Sequence, residues 1–255
     1  MLPILQIGPL AIQTPGLILL LGLWTGLYFS EKYAVKKEKD PGVLYHLVFW
    51  ALVSALIGAR LGYIFEYSQA FIDNPLSTIS INPTLFNWWA GAACALIFSL
   101  WYGQRHNLDF WLTLDLLTPA FATLSLFIGI AQLASGSAFG SESNLPWAIE
   151  LWGKRRHPTQ IYEIISSVII LGIIFGLINS KKSLSKGVLF LIYFVLTSAS
   201  KLFLEAFRGD SQMIGNFRLV QWAAWLCLAV GLWSLGKRMI PSRIEGFKNE
   251  NTQDQ

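Results

Sequence analysis

Long apolar runs alternate along the chain with short polar or Pro/Gly-rich breaks, and they predict seven helices: 15–33, 45–67, 85–102, 111–136, 159–179, 187–207 and 218–236. Each run is close to the roughly 20 residues needed to cross a hydrocarbon layer about 30 Å thick. A soluble core accounts for one such block, not for all of them. The fourth run is the least regular, because Asp115 and Pro119 interrupt its first turns. No internal repeat is present. The polar stretch from Glu245 to Gln255 reads as a disordered tail, and residues 1–244 as a single transmembrane domain. The predicted class is therefore an all-α integral membrane protein of about seven transmembrane helices.

Composition sharpens this picture. Hydrophobic residues make up 54% of the 255 positions and charged residues only 13%, about half the charged share of a soluble domain. The net charge of +4 raises the question of nucleic acid. The basic residues, however, sit in short loops beside apolar runs, where the membrane explains them and no nucleic-acid partner is expected. Twelve of them (Lys32, Lys36, Lys37, Lys39, Arg105, Lys181, Lys182, Lys186, Lys237, Arg238, Arg243, Lys248) fall in one set of alternate loops, and five (Lys154, Arg155, Arg156, Arg208, Arg218) in the other. The positive-inside rule then places the N-terminus outside and the C-terminus in the cytoplasm. On that orientation the loops 71–83 and 137–146 form a small extracytoplasmic arm and head. Met1–Gln13 carries no Lys or Arg, so it lacks the basic region of a cleaved signal peptide and the first helix is expected to be retained. Cys94 and Cys227 lie inside apolar runs and read as small hydrophobes. His46, His106 and His157 stand in separate segments without ligand spacing, so no metal and no cofactor is expected.

Ionisable residues within apolar runs are costly in a bilayer and mark candidate function. Arg60 lies in Gly58-Ala59-Arg60-Leu61-Gly62-Tyr63, with Tyr63 and Tyr67 on its helical face. It either snorkels to the headgroups or sits in close helix packing around the glycines. Lys201, Glu205 and Arg208 follow one another at i, i+4, i+7, either as a structural ladder or with Arg208 released at the helix end to meet an anion. His157-Pro158-Thr159-Gln160-Ile161-Tyr162-Glu163 opens the fifth helix, after Lys154-Arg155-Arg156. Pro158 suits a first helical position, and cations beside a helix N-terminus favour an anionic group there. Asp115 is equally compatible with a cap and with a functional role.

In this order the motifs resemble the bacterial prolipoprotein diacylglyceryl transferases over most of the chain. Gly58-Ala59-Arg60-Leu61-Gly62-Tyr63 is similar to the family's second-helix motif, and Asp115 with Pro119 to its D-x-x-x-P. Leu145-Pro146-Trp147 matches the outer-loop l-P-W, Arg156 to Glu163 the R-H-P-[ST]-Q-x-Y-E, and Glu205 to Asp210 the stretch before the last helix. The resemblance implies a transferase of the bacterial inner membrane. Such an enzyme moves the diacylglyceryl group of phosphatidylglycerol, or of another anionic phospholipid, onto the lipobox cysteine in the signal-peptide segment of a prolipoprotein. Thiolate attack on carbon with a glycerol phosphate leaving needs a proton acceptor and cations on the departing phosphate. The resemblance suggests His157 and Arg208 as catalytic, and Arg60, Tyr63, Gln160, Tyr162, Glu163 and Glu205 as substrate-binding. The chain departs from the family's G-R-x-G-N-F-x-N-G-E block at Gly129, Gln132, Ser135 and Ser137, and Trp89 stands at the histidine of its H-G-G. Gly136 and Gly140 are retained. Two readings follow: a transferase acting through a reduced set of residues, or a member that binds anionic phospholipid or lipoprotein without turnover. A transporter is disfavoured, since neither inverted repeats nor paired broken helices are visible.

Overall fold

The structure is a computed structural model that describes residues 4–7, 10–73, 85–180, 184–215 and 217–253. A hairpin of β1 (Ile4–Ile7) and β2 (Leu10–Gln13), pairing Ile7 with Leu10, precedes α1 (Thr14–Lys36). Then come α2 (Pro41–Glu66), the short α3 (Ser68–Asp73), α4 (Trp88–Arg105) and α5 (Phe110–Ser135). A second hairpin, β3 (Ile149–Leu151) and β4 (Lys154–Arg156), leads into α6 (Thr159–Asn179) and α7 (Val188–Leu204). A 3-10 turn (Glu205–Phe207), a two-residue ribbon of β5 (Met213–Ile214) and β6 (Phe217–Arg218), and α8 (Leu219–Gln253) complete the chain.

The seven predicted helices correspond to α1, α2 and α4–α8. Five are long and apolar enough to cross a membrane: α2, α5, α6, α7 with its 3-10 turn, and α8 as far as Met239. The protein is an all-α integral membrane protein. Glu31, Lys32 and Lys36 dilute the apolar character of α1, and α4 is built of Ala, Gly and Trp more than of Leu and Ile. Large apolar side chains such as Ile165, Ile169, Trp225 and Trp233 point outward, as expected where lipid replaces water. α8 differs from expectation at its end. Its backbone continues as helix to Gln253 through the stretch expected to be disordered, where Glu245, Lys248, Glu250 and Gln253 have good helix propensity. Most of the expected arm, residues 74–84, lies outside the described residues.

The stretch expected to be one domain forms two compact units, one of residues 38–113 and one of residues 1–37 with 114–255. In the first, α2 packs on α4. Asp40 caps α2 by accepting from Gly42 N at 2.9 Å, and Asn87 caps α4 by accepting from Ala90 N at 3.1 Å. A Cβ on Gly58 would fall 2.4 Å from the Cys94 side chain, and one on Gly62 2.2 Å from Ala90 Cβ. The glycines beside Arg60 therefore serve close helix packing.

In the other unit two features fix the helices. Pro119 removes one N–H from α5, and the following Ala120 N donates to Ser30 Oγ of α1 at 3.1 Å. A hydroxyl from a neighbouring helix thus accepts from the backbone N–H next to the proline. Asp115 is buried and caps not its own helix but α7, with Oδ2 accepting from Gly187 N at 2.5 Å and Oδ1 from Phe190 N at 2.8 Å. Of the two roles the sequence leaves open for Asp115, the structure thus supports the cap. Lys36 Nζ donates to Ile178 O at 2.8 Å, and Arg238 Nη1 to Lys186 O at 2.8 Å. One end of this unit thus gathers residues of the larger basic set. The start of α6, the end of α7 and the start of α8 meet at the opposite end.

Candidate functional site

The segment from Ser137 to Ser141 organises that opposite end. Thr159 Oγ1 donates to Ala138 O at 2.6 Å, Gln160 Nε2 to Ser137 O at 2.9 Å, and His157 N to Ser141 O at 3.0 Å. These bonds hold the start of α6. On the other side Gly140 pairs with Arg208, Ser141 N donates to Phe207 O at 2.8 Å, and Gly209 N to Phe139 O at 2.9 Å. These hold the end of α7. His157 and Arg208, 51 residues apart in the sequence, are thereby fixed to one strip of backbone. A Cβ on Gly140 would lie 2.2 Å from His157 O, and one on Gly209 2.6 Å from Gly140 O. Both glycines are required by the close approach of three chain segments.

His157 packs on Phe207 at 5.3 Å and edge-on to Tyr162 at 6.3 Å between ring centroids. Its Nδ1 is buried and has no hydrogen-bond partner among the described residues. Tyr162 Oη accepts from Trp147 Nε1 at 2.8 Å. These residues close one end of an apolar groove of about 660 Å³ between α6 and α7, walled by Ile165, Ile169, Ile173, Leu196 and Phe203. Ile165, Ile169 and Ile173 follow at four-residue spacing, so they form one stripe of α6. Pro158 occupies the helix cap itself, one residue before the expected first helical position.

α7 ends at Leu204, and the 3-10 turn that follows shifts the register, so the charges expected on one stripe diverge. Lys201 Nζ pairs with Glu163 Oε1 of α6 at 2.8 Å, not with Glu205. Glu205 is buried; its Oε1 accepts from Ser211 Oγ at 2.7 Å, while Oε2 has no hydrogen bond among the described residues and lies 3.8 Å from Arg208 Nη1. Arg208 is not a released cation. Nε and Nη2 donate to Asp210 Oδ1 and Oδ2 at 2.9 and 3.2 Å, the bidentate fork–carboxylate arrangement. Burial alone pulls its guanidinium downward, but the bond to Asp210 and the charges of Asp210, Glu205 and Glu163 outweigh that and hold it above its ordinary value. Arg218, not singled out from the sequence, donates through Nη1 to the carbonyls of Glu205 and Arg208 and locks the turn. Its only sequence signal was a cation left on the less basic face. Arg156 donates to Leu151 O and Gly140 O and lies over the Phe139 ring at 4.8 Å.

The sequence-predicted residues His157, Gln160, Tyr162, Glu163, Glu205 and Arg208 therefore share this end. Arg60 and Tyr63 belong to the other unit. There Arg60 Nη1 donates to Leu85 O at 2.8 Å, with Phe71 and Phe86 rings 5.4 and 5.6 Å away, and the Tyr63 and Tyr67 rings pack tilted at 4.6 Å. Of the substituted positions, Gly129 is buried and a Cβ there would lie 2.9 Å from Ile164 Cγ1. Ser135 and Ser137 bond each other through their hydroxyls at 2.7 Å, Gln132 Oε1 has no partner among the described residues, and Trp89 is exposed beside Trp88.

Fold and site together define a multi-pass membrane protein with a groove of lipid-tail character that ends at an imidazole in a cation-bearing cluster. A family model for prolipoprotein diacylglyceryl transferase matches residues 3–236. Similar proteins include a phosphatidylglycerol–prolipoprotein diacylglyceryl transferase of Nostoc sp., 27% identical over 96% of this chain and 94% of that protein. Proteins of the same name from Acaryochloris marina and Gloeobacter violaceus are each 28% identical, over 91% and 92% of this chain and 88% and 93% of theirs. The chain belongs to the prolipoprotein diacylglyceryl transferase family.

Proposed function

We propose that this protein transfers the diacylglyceryl group of phosphatidylglycerol to the lipobox cysteine of prolipoproteins, in the bacterial cytoplasmic membrane. Family membership supplies the reaction class, and the names of the relatives supply both substrates. One observation carries the assignment to this site: His157, with an unpartnered Nδ1, sits at the end of an apolar groove and on the same backbone strip as Arg208.

In this reading an acyl chain lies in the groove and the glycerol carbon reaches its polar end. His157 takes the thiol proton. The C–S bond forms as the C–O bond to phosphate breaks, and the electron pair leaves on the glycerol phosphate oxygen. Arg208 meets the departing phosphate, held in orientation by Asp210. Gln160, Glu163 and Glu205 act through the frame that holds these two residues. Tyr162 lines the groove mouth, and Arg60 and Tyr63 bind lipid within their own unit.

The test is transfer of labelled phosphatidylglycerol to a lipobox peptide, read as thioether-linked diacylglycerol on the cysteine. Activity in the wild type that is lost in His157→Ala and Arg208→Ala supports the assignment. Phosphatidylglycerol that binds without any transfer would make the protein a non-catalytic lipid-binding member and refute it.

A further inference from the structure

Leu145-Pro146-Trp147-Ala148 forms a turn at the groove mouth, closed by Ala148 N donating to Leu145 O at 3.0 Å. Proline occupies the turn position whose φ it fixes. Ser143 Oγ accepts from Leu145 N at 3.3 Å, and Arg155 Nη2 donates to Leu145 O at 3.2 Å, so the start of the turn is anchored. Trp147 is 58% exposed. An indole at a membrane boundary ordinarily offers its N–H to water or headgroups. Here Nε1 turns back into the protein and donates to Tyr162 Oη at 2.8 Å.

That bond decides what Tyr162 can do. Its ring is held edge-on to Phe207 at 6.1 Å and to His157 at 6.3 Å between centroids. A phenol oxygen both accepts and donates. The indole occupies the accepting side, so the hydroxyl proton points elsewhere, and among the described residues no group accepts it. The other polar side chains on the groove wall are committed. Ser166 Oγ shares a hydrogen bond with Ser200 Oγ at 2.5 Å, Trp147 Nε1 is given to Tyr162, and His157 serves the thiol proton in the proposed reaction. A single free hydroxyl donor therefore stands at the head of a groove whose walls are otherwise Ile, Leu and Phe. An acyl chain lying against Ile165, Ile169 and Ile173 ends in an ester, and an ester carbonyl only accepts.

We propose that Tyr162 Oη donates to an ester carbonyl of the diacylglyceryl group, and that Trp147 is the positioning residue that keeps Tyr162 a donor. The lipid as occupant rests on the transferase reading. Accepting from the indole also polarises the phenol and strengthens its own donation. With the chain in the groove and its carbonyl on Tyr162, the diacylglyceryl group is held at two points, which sets its glycerol carbon relative to His157.

The experiment compares binding of short-chain phosphatidylglycerol with that of its dialkyl ether analogue, which lacks both carbonyls, to the purified full chain without acceptor peptide. The wild type is expected to prefer the diester by about fivefold, equivalent to about 1 kcal/mol, the size of one net hydrogen bond. Tyr162→Phe abolishes the preference by weakening the diester alone. Trp147→Phe keeps an aromatic ring but no N–H, and reduces the preference to about twofold. In the Tyr162→Phe background Trp147→Phe has no further effect on the ratio, which a merely structural role would not produce. A wild type without ester preference overturns the proposal, as does a preference that survives Tyr162→Phe, or an equal loss of both lipids in Trp147→Phe. Lipobox-peptide affinity lost in Tyr162→Phe while both lipids bind normally would give the groove mouth to the acceptor and overturn it too. A wild type that discriminates ester from ether but transfers nothing to the peptide refutes the transferase reading and leaves this contact standing.

Discussion

Asp115→Ala is expected to destabilise the protein without disabling the chemistry of each folded molecule. The carboxylate reaches from α5 to the first turn of α7 and accepts two backbone N–H bonds, at 2.5 and 2.8 Å, while nearly fully buried. Hydrogen bonds to a charged group contribute about 1.5–3 kcal/mol each, and orphaned buried donors cost a similar amount. Water entering the vacated space recovers part of that, which leaves a net loss of about 3 kcal/mol. For a chain of this size that corresponds to a fall of roughly 6–12 °C in Tm. Asp115→Asn keeps one acceptor but turns its amide donors toward the second N–H, so about half the loss is expected. Thermal unfolding in detergent, followed by tryptophan fluorescence, measures both. Transfer per folded molecule should remain near wild type, because Asp115 lies at the opposite end of α7 from Arg208. A Tm loss under about 3 °C for Asp115→Ala, or less than about 1 kcal/mol, refutes the trans-capping role.

Other outcomes follow from the same geometry. Gly140→Ala places a Cβ 2.2 Å from His157 O, so the imidazole must move; a displacement near 1 Å costs about 100-fold in turnover. A kcat within threefold of wild type would contradict this. Arg218→Gln removes charged donors to the carbonyls of Glu205 and Arg208, and hydrogen exchange should rise over residues 205–211 while α6 stays protected. Glu142 bonds Lys154, which lowers its carboxyl from the ordinary 4.5. Its contribution is therefore present above the unfolded value and lost as pH falls through the lower folded one. Glu142→Gln should flatten that acid-side slope of Tm, lowering Tm slightly at neutral pH and leaving it unchanged below the folded value.

What the sequence conveyed well was anything repeated along one helix. Apolar runs of span length mark the membrane helices directly, and the polar heptapeptide from His157 to Glu163 stands out because it opens such a run. What it conveyed poorly were contacts made between helices. Asp115 caps a helix that begins more than 70 residues later, a partnership without any local signature. Lys201, Glu205 and Arg208 look like one ladder only while α7 is assumed to continue. The 3-10 turn at Glu205–Phe207 breaks the period, sends Lys201 to Glu163 and leaves Arg208 to Asp210. The strip from Ser137 to Ser141 has little side-chain chemistry at all; it acts through carbonyls and through the absence of a Cβ at Gly140.

That strip also explains which features of the substituted block survive. The retained Gly140 bears on backbone that must pass close to His157, whereas the polar positions of the block have become Gly129, Gln132, Ser135 and Ser137. At residue 129 Ile164 already fills the space a side chain would need, and Ile164 directly follows Glu163. A long cation there would push α6 outward at the point where Glu163 holds Lys201. Positive charge on this side of α6 is instead supplied by α7 and the turn after it, where Lys201 pairs with Glu163 and Arg208 with Asp210. On the proposed function, transfer chemistry rests on the α6–α7 junction, and α5 contributes packing and the cap on α7 more than charge.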